Sequence, residues 1–273
     1  MHSKLVSFTL NIIGGNHMKK TYKFTIAYDG SRYFGWEHQP DRDTIQGKLE
    51  ALLTKMTAQP VELQGSGRTD SGVHAFAQVA NFHADTKMTP EEILEYMNRY
   101  LPEDIGVLSV TEVPERFHSR LNAKGKTYCY RIICSALPHV FDRRYAHCIP
   151  SQLDVEAMRR AAAFLIGTHD FKAFTSAKRS KKSTVRTIEE IRIEQKKSLS
   201  AAGHLAEDEI LLTYKGNGFL YHMVRIITGT LIEVGMHRRK PEELAEILDS
   251  GNREMAGELA PAKGLALMEV RYL

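Results

Sequence analysis

The chain contains few cysteines and no long hydrophobic run. Its 273 residues include three cysteines, and no two of them form a C-x-x-C pair. Neither a disulfide framework nor a cysteine-based zinc site is therefore indicated, and the pattern is typical of reduced thiols in a cytosol. No apolar stretch of the sequence is long enough to cross a bilayer. These absences predict a cytoplasmic protein that acts without a membrane partner.

Two common signatures of catalytic sites are also missing. The twelve histidines form no H-x-x-x-H or H-E-x-x-H pair, so the sequence predicts no metal centre. The glycines at Gly65 and Gly67 are not followed by the Gly-Lys-Ser/Thr of a phosphate loop. Nucleotide hydrolysis is therefore disfavoured.

Composition and charge are those of an ordinary globular protein with a slight basic excess. Hydrophobic residues make up 42% of the sequence and charged residues 26%, as in most folded domains. The formal net charge is +4. This balance is compatible with a nucleic-acid partner without being diagnostic of one.

Sequence periodicity predicts helices and strands in both halves of the chain. Apolar and polar residues alternate over 22–28, which is typical of a half-buried strand. The segment 89–92 (Thr-Pro-Glu-Glu) predicts a helix start with a capping box. The segment 219–234 predicts a long helix. The polar, Ser- and Ala-rich stretch 195–208 predicts a variable loop between two strands.

The interleaving of helices and strands predicts an α+β fold made of two similar sheet-and-helix units, ferredoxin- or RRM-like. Pro114 begins a transition between the two patterns. We therefore expect an N-terminal domain of residues 18–113 and a C-terminal domain of residues 114–273.

The most informative stretch is a polar turn at 64–75, which reads Q-G-S-G-R-T-D-S-G-V-H-A. It places three glycines, Arg68 and Asp70 between apolar segments. Glycine permits backbone conformations and close approaches that other residues resist. An aspartate held in such a turn beside an arginine is a candidate for chemistry. From the residues alone, a solvated loop in which Asp70 satisfies its own backbone is the alternative.

Residues 67–75 resemble the G-R-T-D-x-G-V-H-A signature of the TruA-type tRNA pseudouridine synthases. Further segments are similar to motifs of that family in the same order along the chain: 28–36, 44–50, 126–130 and 219–225. The resemblance covers nearly the whole sequence, but it begins only just after Met18. We therefore expect residues 1–17 to be a dispensable N-terminal extension.

The resemblance implies two related domains whose antiparallel sheets join, with the active-site cleft between them. It implies an isomerase that converts uridine to pseudouridine in the anticodon stem-loop, at positions 38, 39 and 40 of tRNA. Since substrate and product are isomers, no cofactor is required. Members of the family usually act as homodimers in which one tRNA bridges both subunits.

The resemblance also assigns three catalytic residues. Asp70 is the carboxylate that acts as nucleophile or general base. Arg225 is its expected ion-pair partner, and Tyr128 is expected to stack on the detached uracil ring. Without the resemblance, Arg225 would be interpreted as a surface residue and Tyr128 as a core residue. Pattern alone does not distinguish Tyr128 from Tyr130, which lies on the same face of the strand.

Several basic residues are candidate RNA contacts. Arg68 is expected to act as a wedge or phosphate contact that helps to flip the uridine out of its stack. Arg32 and Arg42 could extend a basic track. The densest cluster of positive charge consists of Lys178, Arg179, Lys181, Lys182 and Arg186, which we expect to contact tRNA phosphates. A solvated face is the alternative for each of these groups.

A non-catalytic tRNA-binding protein with the same fold is the competing functional class. Such a protein could have lost Asp70, Tyr128 or Arg225. All three residues are present in this sequence, which favours the enzyme.

Overall fold

The computed structural model describes residues 19–177, 183–199 and 206–272. The expected extension at 1–17 lies outside the described residues. Within them, five α-helices accompany one large sheet of ten strands, most of which pair antiparallel. This architecture confirms the α+β class. No helix in the described part of the chain is long and apolar enough to span a membrane.

The N-terminal half forms one sheet-and-helix unit. Its elements are β1 (Lys20–Tyr28), α1 (Ile45–Thr57), β2 (Gln64–Gly65), β3 (His74–Ala84), α2 (Pro90–Tyr100) and β4 (Ile105–Val113). The strands lie in the order β4-β1-β3, and the short β2 pairs with the far part of β3. Counted along the chain, this is the order 4-1-3-2.

The C-terminal half repeats that order. Its elements are β5 (Gly125–Cys134), β6 (His147–Ile149), α3 (Val155–Ala163), β7 (Gly167–Asp170), β8 (Val185–Leu199), β9 (Ala206–Gly216), α4 (Met223–Gly235), α5 (Glu243–Ser250) and β10 (Leu265–Arg271). Strands β10, β5, β9 and β8 are neighbours in that sequence, which is again 4-1-3-2 when β6 and β7 are set aside. Two ferredoxin-like units therefore make up the fold.

The last strand joins the two units into one sheet. β10 pairs parallel with β3 through Ala266 and Leu267, and it pairs antiparallel with β5 on its other side. Leu267 lies opposite Tyr128 in this ladder. The beginning of β3 and the middle of β5 are thereby held one strand apart. The division at residue 113 stays a prediction, because the sheet itself is continuous.

Apolar residues at helical spacing attach the helices to the sheet. Ile45, Leu49 and Leu53 of α1 are fully buried, as are Ile93 and Met97 of α2. Each such side chain contributes about 1.5–3 kcal/mol when it leaves water. Helix α4 is buried around most of its circumference, so its position between the sheet and its neighbours is closely fixed.

Two sequence expectations are wrong in detail. Residues 195–199 and 206–208, which the sequence predicts as loop, are strand, because β8 continues to Leu199 and β9 begins at Ala206; residues 200–205 lie outside the described residues. Cross-strand ion pairs replace apolar packing there, with Lys196 3.2 Å from Glu209 and Lys197 2.8 Å from Asp208. The helix predicted at 219–234 begins only at Met223, after a turn.

Candidate active site

Asp70 lies in the loop between β2 and β3, and a second loop holds that loop in place. The Trp36 amide donates a 3.0 Å hydrogen bond to the Thr69 carbonyl, and the Tyr28 hydroxyl hydrogen-bonds the Thr69 side chain at 2.8 Å. The Val73 amide closes a turn on the Asp70 carbonyl at 3.1 Å. The segments 28–36 and 66–74 are therefore one structural unit, which explains why both carry distinctive sequence.

Two glycines allow these loops to approach each other. A Cβ atom on Gly30 would lie 2.0 Å from the Val73 carbonyl oxygen. Gly35 has a φ of +91°, and its Cβ would lie 2.7 Å from the Thr69 carbonyl oxygen. Only a residue without a side chain fits there. The backbone on either side of Asp70 thus rests directly on the segment that follows β1.

The structure brings Arg225 to Asp70. Arg225 is in the first turn of α4, and its guanidinium donates a 2.9 Å hydrogen bond to the Asp70 carboxylate. The same guanidinium donates to the Ala260 carbonyl at 2.8 Å, and the Ala260 amide donates back to the Arg225 carbonyl at 3.2 Å. Arg225 is therefore fixed at both ends, and it orients the carboxylate from the opposite half of the sheet.

His222 is a third member of this cluster that sequence reasoning left without a role. Its Nε2 lies 3.5 Å from the Asp70 carboxylate, and its ring stacks on Tyr221. Burial lowers the pKa of His222, with Asp70 acting against this shift and Arg225 adding to it. The sequence signal was its place in the segment 219–225, one turn before Arg225.

The His222 backbone and ring carry two further signs of constraint. Its φ is +64°, a left-handed conformation that is uncommon for residues other than glycine. Its buried Nδ1 has no hydrogen-bond partner among the described residues. Strained backbone and unsatisfied polar atoms concentrate at functional sites.

Tyr128 comes to the same place from β5. The ring is buried, meets Phe219 edge to face at 5.3 Å, and borders the cavity that contains Asp70. Burial raises the pKa of the Tyr128 hydroxyl, and the nearby Tyr28 and Asp70 raise it further. The hydroxyl therefore stays protonated at neutral pH.

The contacts of Tyr130 differ from those of Tyr128. It is fully buried, and its hydroxyl donates a 2.8 Å hydrogen bond to the Pro261 carbonyl. Tyr128 borders the cavity and Tyr130 does not. The structure therefore distinguishes the two tyrosines, which the sequence pattern did not. The Tyr130 hydroxyl is bound to Pro261, whereas the Tyr128 ring borders the cavity.

A cavity of about 1000 Å³ surrounds the Asp70 carboxylate. This volume is in the range of sites for small organic ligands and suits a nucleotide. Of the described residues, five basic side chains and two carboxylates line it, together with aromatic residues and His222: Phe34, Glu37, Arg42, Arg68, Asp70, Arg120, Lys126, Tyr128, Phe219, Tyr221, His222 and Arg225. The cavity is therefore electropositive.

The expected RNA contacts divide into three groups. Arg68 lines the cavity and forms an ion pair with Glu37. Arg32 is not at the cavity, and its guanidinium pairs with Asp104 at 2.6 Å. Both stay predictions as RNA contacts. Four members of the basic cluster, Lys178, Arg179, Lys181 and Lys182, lie outside the described residues. The fifth, Arg186, lies in β8 and donates hydrogen bonds to the Ser183 and Val185 carbonyls.

Within the described ranges, no group of three or more His, Cys, Asp or Glu side chains is placed to hold a metal ion. The cavity presents an oriented carboxylate, a phenol, a histidine and a set of cations. Such a set suits a reaction on a polyanionic substrate with a flat ring.

Comparisons with known proteins identify the family. A family model described as tRNA pseudouridine synthase matches residues 25–122 and 161–273. A tRNA pseudouridine synthase A from Bacillus sp. (strain KSM-64) is 45% identical over 252 residues, which are 92% of this chain and 99% of that relative. Proteins named tRNA pseudouridine synthase A 2 from Clostridium perfringens and Clostridium tetani are 43% and 44% identical over 93% of this chain and 100% of each relative.

The fold and these relatives thus define the class of the protein, an isomerase that acts on tRNA. The chain is a member of the tRNA pseudouridine synthase family, which confirms the resemblance and the expectation of a tRNA-modifying enzyme.

Proposed function

We propose that the enzyme converts uridine to pseudouridine in the anticodon stem-loop of tRNA, at positions 38, 39 and 40, with Asp70 as the catalytic carboxylate. The observation that carries this proposal is the Asp70–Arg225 pair at 2.9 Å, facing a cavity that also presents Tyr128. The choice of target positions rests on the sequence motifs that resemble the family.

The reaction balances without a cofactor. The bond between N1 of uracil and C1′ of ribose breaks, the ring turns, and a bond forms between C5 and C1′. The proton on C5 is lost, and N1 ends with a proton. Asp70 either attacks the nucleoside as nucleophile or removes a proton as base, and both roles need a carboxylate oriented as Arg225 orients this one.

Tyr128 supports the detached ring in this proposal. Its ring borders the cavity beside Phe219, and its protonated hydroxyl is a hydrogen-bond donor. The raised pKa of Tyr128 favours this donor role over an initial role as base. Closing this surface against the substrate also excludes water, which would otherwise compete for the sugar.

The wider setting of the reaction is part of the same proposal. The enzyme works in the cytoplasm as a homodimer, with one tRNA bridging both subunits. The N-terminal domain, residues 18–113, carries Asp70, and the C-terminal domain, residues 114–273, carries Tyr128 and Arg225. Arg68 assists uridine flipping, while Arg32 and the basic cluster at 178–182 contact tRNA phosphates. Sedimentation of the protein with and without tRNA tests the assembly.

Mapping of pseudouridine tests the reaction and its target together. Unmodified tRNA is incubated with the wild-type protein and with Asp70→Asn, and modified positions are then located along the tRNA. We expect pseudouridine in the anticodon arm with the wild type only. Tight tRNA binding without pseudouridine at any position would instead support the non-catalytic tRNA-binding class.

A further inference from the structure

Of the five described basic side chains that line the cavity, three have no carboxylate partner among the residues that the structure describes. Arg68 pairs with Glu37 and Arg225 pairs with Asp70. Within the described residues, no ion pair involves the other three, which are Arg42, Arg120 and Lys126. Uncompensated cations in a concave site attract anions strongly, because the walls of the cavity hold back the solvent that would screen them.

Lys126 is the most confined of these three. It is half-buried on β5, and its ammonium group donates a 2.9 Å hydrogen bond to the Ser66 carbonyl. A Cβ on Gly67 would lie 2.1 Å from the same ammonium group. One N–H of the Lys126 ammonium group thus donates to the loop that carries Asp70, and the other two N–H groups are available to a ligand.

Arg120 lies close enough to act on Lys126. It follows β4, lines the same cavity, and its charge lowers the pKa of Lys126. Two like charges therefore line the same cavity and repel each other, and within the described residues neither forms an ion pair with a carboxylate. Such a pair is stabilised when an anion binds to both.

We propose that Lys126 and Arg120 form a subsite for a phosphodiester group next to the uridine that enters the cavity. This inference rests on the proposed function, because the anion is taken to belong to the RNA substrate. Ser66 and Gly67, which lie against the Lys126 ammonium group, precede Asp70 by four and three residues on the same loop. It fixes the backbone of the extruded nucleotide while Asp70 acts on its sugar and base.

The pKa of Lys126 makes binding of an anion at this subsite dependent on pH. Burial lowers the pKa of Lys126 to about 8, and Arg120 contributes to the same shift. Asp70 and Arg68 are the other charged groups on this loop, and each has its own partner. A bound phosphate favours the charged form of Lys126, so RNA affinity at this subsite decreases as the pH rises above about 8.

A double-mutant cycle between protein and RNA tests the subsite. Two tRNAs carry an uncharged methylphosphonate linkage directly 5′ or directly 3′ of the modified uridine. Their dissociation constants are measured with Asp70→Asn, which prevents turnover, and with the same protein that also carries Lys126→Met. Lys87→Met in the same background is the matched control, because Lys87 is exposed and does not line the cavity.

We expect one of the two linkages to weaken binding by about tenfold, and Lys126→Met to weaken binding of unmodified tRNA by a similar factor. Lys126→Met combined with that linkage should weaken binding by little more than either change alone. With Lys87→Met, the effect of the linkage should be unchanged. Lys126→Met should also reduce the slope of log affinity against log salt by about 0.7–0.9.

The proposal is overturned if each linkage weakens binding by the same factor in the protein with Lys126 and in the protein with Lys126→Met. The change in the RNA and the change in the protein would then be independent. Arg120→Met provides the same cycle if Lys126→Met fails to fold. Lys126→Arg adds a second test, because it should retain affinity and abolish the decrease in affinity above pH 8. Failure of wild-type protein to form pseudouridine in the unmodified tRNA would contradict the proposed function itself.

Discussion

The Asp70 carboxylate and the Arg225 guanidinium form a 2.9 Å ion pair between residues 155 positions apart in sequence. The side chains are 20% and 11% exposed, so the pair is not a solvent-screened surface contact. Arg225 is held by Ala260, and the Asp70 loop is held by Trp36 and Tyr28. Both partners are therefore held in place by contacts within the protein, as the catalytic role proposed for Asp70 requires.

Arg225→Met should reduce the single-turnover rate by about 10- to 100-fold, because a hydrogen bond to a charged group contributes about 1.5–3 kcal/mol. Arg225→Lys should recover only part of the rate, since an ammonium group cannot bind Asp70 and Ala260 in the same planar geometry. Arg239→Met is the matched control. Arg239 pairs with Glu233 and Glu243 away from the cavity, so its loss should lower the melting temperature and leave the rate within about twofold.

Gly35→Ala should disturb the Asp70 loop without touching any catalytic side chain. The positive φ and the 2.7 Å approach to the Thr69 carbonyl predict a loss of about 1–3 kcal/mol in the free energy of unfolding. Activity should fall further than stability alone explains, because the strain is released by movement of Thr69 and Asp70. Gly106→Ala is the control, since nothing lies within 4 Å of its added Cβ. Equal effects of both substitutions on denaturation and turnover would argue against the coupling of the two loops.

Tyr128→Phe and Tyr130→Phe should separate catalysis from stability. Tyr128→Phe removes a hydroxyl in a cavity-lining residue, so we expect a slower reaction with tRNA affinity nearly unchanged. Tyr130→Phe removes the bond to the Pro261 carbonyl and should cost about 1 kcal/mol of stability with little effect on rate. Chemical denaturation and single-turnover kinetics measure the two effects. If the two substitutions exchanged these effects, the roles given to the tyrosines would be wrong.

His222 should set the acid side of the activity profile. Burial lowers the pKa of His222 from its usual value near 6.5. The ring is therefore neutral at pH 7 and becomes charged only as the pH falls below about 6.5. Protonation then places a second cation beside Asp70, and the reaction should slow. In His222→Gln, which keeps a polar group near Nε2 but does not titrate, this slowing should disappear. An identical acid limb in both proteins would exclude His222 from the profile.

Local chemistry made several elements predictable from the sequence. Helix α2 begins as predicted, with the Thr89 side chain accepting from the Glu92 amide and the Glu92 carboxylate accepting from the Thr89 amide. The buried residues Met223, Ile227 and Leu231 of α4 follow the helical period. In each case the determining contacts lie within a few residues, where a sequence pattern can show them.

Features that depend on distant partners were not predictable in the same way. The C-terminal end of β8 and the N-terminal end of β9 are held together by ion pairs such as Lys196 with Glu209. Their sequence is therefore polar, and its pattern is typical of a loop. The late start of α4 follows from the backbone of His222. The subsite role of Lys126 depends on Ser66 and Gly67, which β10 brings close by joining the two halves of the sheet.

The most direct test of the central claim is release of tritium from tRNA labelled at C5 of uridine, measured under single-turnover conditions with the wild type and with Asp70→Asn. Loss of the C5 hydrogen accompanies formation of the new C5–C1′ bond, so the label reports the chemical step itself. We predict rapid release with the wild type and none above background with Asp70→Asn, while both proteins bind tRNA with similar affinity. Release by Asp70→Asn at a rate near that of the wild type would contradict the assignment of Asp70 as the catalytic carboxylate.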